Sequence, residues 1–148
     1  YKYESVLWIF DRLVIVVALG GMLVRIGNFF NSEIVGNYTN SNFGVIFLNR
    51  SENLPRHPAQ LYESIGYLVL FIILYGMYNK TKLSDKKGFF FGFFLIFLFG
   101  VRFIVEYVKE SQGGIENYLG LLSTGQWLSI PFMLIGLILL IRSNSAKI

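Results

Sequence analysis

The sequence predicts an all-α membrane protein, a single domain over residues 1–148 built as a bundle of about four transmembrane helices. Composition is the first indication, because 54% of the residues are hydrophobic and only 15% are charged, which is too apolar for an ordinary soluble domain. The second is that four apolar stretches approach the ~20 helical residues that cross a bilayer. The third is that the polar groups gather where these stretches end.

Four stretches qualify as spans. They run over 6–24, 61–78, 88–108 and 126–141. The first contains Asp11 and Arg12 near its start, a pair that a bundle interior or an interfacial position accommodates. The third is the most apolar and is rich in Phe, which we expect to pack against lipid and neighbouring helices, and Arg102 enters only in its last third.

Charge sets the expected orientation of the spans. Between the second and third, a short loop carries Lys80, Lys82, Lys86 and Lys87, and Arg142 and Lys147 follow the fourth. Positively charged loops stay in the cytoplasm, so we expect the connections 31–60 and 109–125 to face outward. The Gly and Asn residues of 31–60 predict an irregular loop. Within it, the apolar run 45–48 fits either a short strand or a segment that dips into the membrane interface.

Polar side chains collect at the outward ends of three predicted helices. They are Arg25, Asn28 and Glu33 after the first span, Arg56, His57, Gln60 and Glu63 before the second, and Arg102, Glu106 and Glu110 at the end of the third. Spacings of three and four residues place Arg25 with Asn28, and Arg102 with Glu106, on shared helix faces. Arginine offers forked donors that match phosphate oxygens, so the sequence predicts a site for an anionic phospholipid headgroup.

Each of these residues also has a structural interpretation. Arg102 and Glu106 fit an intrahelical ion pair that neutralises both, and Arg25 fits a side chain that snorkels to the interface. His57 is the only histidine, yet Pro58 follows it at a predicted first helical turn, which favours a capping role for His57 over a catalytic one.

The residue inventory limits other functions. The chain has no cysteine, so it can form neither a disulfide nor a thiolate metal site, and a thiol in the reaction would come from the substrate. We expect no metal and no cofactor. The net charge of +4 resides largely in the lysine loop rather than in a basic stripe, which argues against nucleic-acid binding.

Four motifs carry a family resemblance. RIGNFFNSEIVG at 25–36, RHPAQLYE at 56–63, GVRFIVEYVKE at 100–110 and TGQWLSIPF at 124–132 resemble, in order and context, motifs of the bacterial prolipoprotein diacylglyceryl transferases. The resemblance implies a helical enzyme of the bacterial inner membrane with its active site toward the periplasm. The implied reaction moves the diacylglyceryl group of phosphatidylglycerol to the lipobox cysteine thiol of a prolipoprotein, forming a thioether as glycerol phosphate leaves.

The resemblance also implies roles for single residues. The catalytic set falls on Arg25, Asn28, Glu33, Arg102 and Glu106, and the substrate-binding set on Arg25, Asn28, Gly36, His57, Gln60, Glu63 and Arg102. The arginines would hold the phosphate and stabilise charge on the leaving oxygen, Asn28 would orient the headgroup, and the two catalytic glutamates would hold the arginines or relay a proton.

The chain departs from the family pattern at three points. Val24 stands where the family usually has Gly, and Leu98 where it often has Tyr. The family's His-Gly-Gly element precedes the first motif and is not among these 148 residues, and the chain opens at Tyr1, so we expect it to be the C-terminal portion of a longer protein.

Two other functions fit a membrane bundle. A transporter or channel with an anion path lined by Arg and Glu would spread polar residues through the membrane depth or repeat them internally. A non-catalytic scaffold would not require the clustered Arg-Asn-Glu signature.

Overall fold

The computed structural model describes residues 5–110 and 122–145. It contains four long helices, which we label α1 (Val6–Phe30), α2 (Ala59–Lys80), α3 (Phe89–Val105) and α4 (Thr124–Ser145). Within the described ranges, four helical segments are long and apolar enough to cross a membrane, and α3 qualifies together with the turn that extends it to Val108. The predicted all-α class and the four spans are therefore confirmed. Lys147 and most of 109–125 lie outside the described residues.

The first span is longer than the hydropathy pattern indicates. Ser5 caps its start by accepting a hydrogen bond from the backbone N–H of Trp8. The helix then continues through Arg25 and Asn28 and ends at Phe30. Two residues later, Ser32 adopts a left-handed φ of 58°. Arg25 and Asn28 are consequently held on a regular helix. The third helix is shorter than expected, because Glu106–Val108 tighten into a 3-10 turn.

An apolar core fills the half of the bundle near the lysine loop. Its buried members are Val14, Ile15, Ala18, Leu70, Leu74, Phe90, Phe94 and Leu95. Beside it, the buried carboxylate of Asp11 accepts hydrogen bonds from the backbone N–H groups of Gly88 at 2.6 Å and Phe91 at 2.8 Å. This satisfies donors at the start of α3 that the helix itself leaves unpaired. Asp11 thus lies in the bundle interior and ties α1 to α3.

The helices alternate in direction, which places their polar ends together. Lys86 donates a hydrogen bond to Asn144 at 2.7 Å, so the lysine loop and the end of α4 share one end of the bundle, as predicted. The other end holds the end of α1, the start of α2, the end of α3 and the start of α4. Stacked rings of Phe99 and Phe132, with centroids 4.4 Å apart, join α3 to α4.

The loop between α1 and α2 is irregular, as expected. Its strand-like pairings among the described residues are isolated β-bridges, which pair Gly36 with Lys109 and pair Arg56 with both Tyr38 and Val45. The run 45–48 is not a strand, because only Val45 pairs and a 3-10 turn starts at Leu48. Of the two interpretations of that run, the strand is wrong.

Candidate functional site

A buried carboxylate forms the centre of the polar end. Glu63, in the second turn of α2, has a side chain only 1% exposed, and its Oε2 lies 2.7 Å from Nε of Arg25 at the end of α1. Its Oε1 lies 3.8 Å from Nζ of Lys109, just beyond α3. Neither oxygen has a hydrogen-bond partner among the described residues, so both contacts are charge pairs. Three chain segments therefore meet at one anion, and Arg25 does not snorkel into solvent.

A second carboxylate lies on the other side of Lys109. Oε2 of Glu106 is 3.5 Å from the ammonium, and the Glu106 carboxyl group lies against Gly125 in the first turn of α4. A Cβ at Gly125 would lie within 2.5 Å of that carboxyl group and would force it to move. A helix N-terminus favours a negative charge, so α4 stabilises Glu106 where it lies.

Arg102 lacks the neutralising partner that its sequence spacing suggested. Within residues 5–110 and 122–145 it forms no ion pair, and its Nε is buried without a hydrogen-bond partner. Its guanidinium lies 5.9 Å from the ring centroid of Phe99. The intrahelical ion-pair interpretation is therefore wrong. The helix ends at Val105, and the following turn directs Glu106 to Lys109 instead.

The polar side chains at the end of α1 hydrogen bond to one another. Nη1 of Arg25 donates to Oδ1 of Asn28 at 3.4 Å, and Nδ2 of Asn28 donates to Oε2 of Glu33 at 3.0 Å. The first contact confirms the shared face of Arg25 and Asn28. The expectation that Glu33 holds an arginine is not met, because Glu33 holds Asn28 and Glu63 holds Arg25.

The turn after Glu33 is strained and anchored from α2. Ile34 has a φ of 53°, a left-handed conformation that is costly for a β-branched residue. The side-chain amide of Gln60 donates to the backbone carbonyl of Glu33 and so fixes the turn, while its Oε1 is buried without a partner. Gln60 thus fixes the turn that follows Glu33.

Gly36 and His57 meet through their backbones. The N–H of Gly36 donates to the carbonyl of His57 at 2.9 Å, and a Cβ at Gly36 would lie 2.5 Å from that same oxygen. The predicted capping role of His57 is wrong. Pro58 is the N-cap residue of α2, and Nδ1 of His57 lies 3.3 Å from the hydroxyl of Tyr62. The turn at Pro58 leaves the His57 ring beside the helix rather than over its first N–H groups.

Arg56 organises the loop between α1 and α2. It is buried, it bonds both carboxylate oxygens of Glu52 and one of Glu110, and it stacks 3.8 Å from the ring centroid of Tyr38. Its hydrogen bond holds the pKa of the Glu52 carboxyl below the ordinary value. The same bond raises the pKa of Arg56. Its donors are thus occupied by the loop and by Glu110, which makes Arg56 a structural residue.

The ion-paired charges of the site balance, and Arg102 is left without a partner. Arg25 and Lys109 pair with Glu63 and Glu106, whereas Arg102 forms no ion pair among the described residues. An arginine without a carboxylate partner favours an anion. Sequence inspection missed Lys109 and Gly125, although Lys109 stands three residues after Glu106, a spacing that suggests their contact.

Comparison with known proteins identifies relatives for this arrangement. Residues 1–142 match the family model described as prolipoprotein diacylglyceryl transferase. Three proteins named phosphatidylglycerol–prolipoprotein diacylglyceryl transferase are similar to the chain. The one from Tolumonas auensis is 48% identical over 95% of this chain and 54% of its own length. The one from Chloroherpeton thalassium is 42% identical over 95% of this chain and 52% of its own length. The one from Bacteroides fragilis is 41% identical over 86% of this chain and 45% of its own length.

The chain spans about half the length of the curated relatives it matches. A comparison with solved structures found no match.

Proposed function

The chain belongs to the prolipoprotein diacylglyceryl transferase family, and we propose that its polar end binds phosphatidylglycerol and transfers the diacylglyceryl group to the lipobox cysteine of a prolipoprotein. The observation that carries this proposal is the half-buried guanidinium of Arg102, whose buried Nε has no hydrogen-bond partner and which has no carboxylate partner among the described residues. An arginine left unpaired beside two neutralised cations is poised for a phosphate, whose oxygens match its forked donors.

The proposed step forms one bond and breaks one. The cysteine sulfur, after its proton has passed to water, attacks as the thiolate the glyceryl carbon that carries the phosphate ester. An S–C bond forms, and the C–O bond breaks with its electron pair moving to the departing glycerol phosphate. Positive charge at the leaving oxygen stabilises the transition state, because negative charge develops there. The same positive field favours the thiolate form of the incoming cysteine, which is the reactive form.

The carboxylates have a positioning role in this proposal. Glu63 fixes Arg25 and Lys109, and Glu106 fixes Lys109 from the other side. With those cations held, Arg102 contacts the phosphate, and Asn28, aligned by Glu33, orients the headgroup. Gln60, Gly36 and His57 shape the wall around the headgroup through backbone contacts.

A transfer assay tests the proposal. In the intact protein, Arg25→Ala and Asn28→Ala should abolish transfer from labelled phosphatidylglycerol to a lipobox peptide without loss of membrane insertion. Arg12→Ala is the matched control, because Arg12 lies on the same helix at the opposite end and bonds to the carbonyl of Trp8. If Arg12→Ala and Arg25→Ala reduce transfer equally, the assignment of the site to the polar end is wrong.

The anion-path alternative is not favoured by the fold. A conducting path would continue through the bundle, but the half near the lysine loop is filled by buried apolar side chains such as Leu70, Leu74 and Phe90. The ion-paired groups Arg25, Glu63, Glu106 and Lys109 instead lie together at the opposite end.

We further propose that the polar end faces the periplasm across the inner membrane. The support is the lysine loop at the opposite end, since positive loops remain cytoplasmic. Single cysteines at Asn40 and Ser84 should react with an impermeant thiol reagent from opposite sides, Asn40→Cys from outside. Labelling of Ser84→Cys from outside would overturn this orientation.

A further inference from the structure

Part of the outward loop folds back onto the end of α1. The rings of Phe29 and Phe47 meet edge to face with centroids 5.7 Å apart, and Asn49 donates to the backbone carbonyl of Phe30 at 3.5 Å. Between the segment Val45–Asn49 and the helix end lies a shallow hollow of about 230 Å³. The fold therefore holds an apolar loop segment beside the point where α1 ends.

The outer surface of this segment is apolar and open. Leu48 is 77% exposed, Phe30 is 71% exposed and Ile46 is 48% exposed. We call these three residues the loop patch. No charged residue occurs between Phe30 and Leu48 except Glu33, and Arg50, the first charge after the patch, is paired with Glu52 and Glu110. Large side chains left exposed together mark a contact surface rather than ordinary loop composition.

The loop patch continues an exposed apolar side of α1. Val16, Leu23 and Phe30 are seven residues apart and all are exposed, so they form one stripe along the helix. Since α1 is long and apolar enough to span a membrane, that stripe is suited to contact acyl chains over most of its length. Phe30 carries the stripe to the helix end, and Ile46 and Leu48 extend it sideways into the loop.

We propose that the loop patch is seated in the headgroup and acyl boundary of the leaflet at the polar end, so that its partner is a lipid surface. Interfacial segments bury their apolar face ~5–10 Å into that boundary. Of the two interpretations of the run 45–48, this is the one that the structure leaves. This contact between the loop patch and the lipid goes beyond the proposed transfer reaction and does not depend on it. Its effect is to fix the loop, and with it Asn28 and Glu33, at headgroup depth.

Site-specific fluorescence tests whether the loop patch contacts the lipid. Because the 148 residues contain no cysteine, Leu48→Cys and Ile46→Cys each offer one labelling site in this chain for an environment-sensitive nitrobenzoxadiazole probe. The intact protein, with any cysteine outside these residues replaced, is reconstituted into phosphatidylcholine vesicles that carry a quenching doxyl group at a shallow or a deep acyl position. Neutral lipid keeps the measurement independent of the transfer reaction. Asn40→Cys, in the same loop but polar, is the matched control.

Both patch probes should be quenched, more by the shallow than by the deep doxyl group, while the Asn40 probe should lose little fluorescence with either. Quenching of the patch probes no greater than that of the control would overturn the proposal. So would patch fluorescence that changes only after a lipobox signal peptide is added, because the patch would then be a peptide-docking surface. Two patch positions are used so that poor folding of one variant leaves the other to decide.

Discussion

Glu63→Gln is expected to destabilise the bundle strongly, because it removes one charge and keeps the side-chain shape. In the native structure the carboxylate faces Arg25 at 2.7 Å and Lys109 at 3.8 Å, and all three side chains are largely buried. At an effective dielectric constant of ~20, opposite charges ~4 Å apart attract by ~4 kcal/mol. Losing one partner of a buried pair costs about 3–5 kcal/mol, since the remaining charge is buried and uncompensated.

The assay is denaturant unfolding of the purified protein in detergent, with Glu110→Gln as the control. Glu110 also makes two ion pairs, to Arg50 and Arg56, but its side chain is 39% exposed, and exposed pairs contribute about 0–1 kcal/mol. Adding Arg25→Met to Glu63→Gln should recover part of the lost stability, because Glu63 is the only ion-pair partner of Arg25 among the described residues and the unpaired cation is removed. Equal, small losses for Glu63→Gln and Glu110→Gln would refute the reasoning that buried charge organises the site.

Three further outcomes follow from particular contacts. Gly125→Ala should lower transfer sharply while the protein still inserts, because the added methyl displaces the Glu106 carboxyl group; an active Gly125→Ala enzyme would exclude a role for that placement. His57→Asn should retain most transfer activity from mildly acidic to mildly basic pH, because the ring bonds Tyr62 rather than any member of the charged cluster; a variant as inactive as Arg25→Ala would make His57 a catalytic residue. The bond to Arg56 lowers the pKa of Glu52, so its stabilisation of the loop is present above the ordinary carboxyl pKa of 4.5 and is lost as the pH falls through the lowered value. The amide protection factors of the loop should therefore fall when the pH drops below that range. If the Glu52→Gln variant shows the same fall in protection, the bond between Glu52 and Arg56 is not its cause.

The fold was predictable from sequence because hydropathy is a local property. Four apolar stretches and a lysine loop were enough to locate the spans and to bring the arginine motifs to one end. The ends of the helices were less predictable. Polar residues such as Asn28 can continue a helix, so α1 outlasts its apolar stretch by six residues, from 24 to 30.

The partners within the site were predictable only where they share a helix. Arg25 and Asn28, three residues apart, do meet, but the pairing of Arg25 with Glu63 depends on how α1 packs against α2. Spacing also misled at Arg102, because a regular helix was assumed to continue through Glu106 and a 3-10 turn begins there instead. Residue spacing does not predict contacts that depend on helix packing or on a local change of helix type.

The most direct test of the proposed site is the kinetics of Arg102→Lys in the intact protein. Lysine keeps the charge but lacks the forked donors, so a phosphate contact made in the transition state would be lost. By analogy with the loss of one oxyanion-hole donor, the rate of diacylglyceryl transfer should fall by about 10²–10³-fold, or ~2.7–4 kcal/mol, with normal insertion and stability. Near-normal turnover of Arg102→Lys would contradict the account.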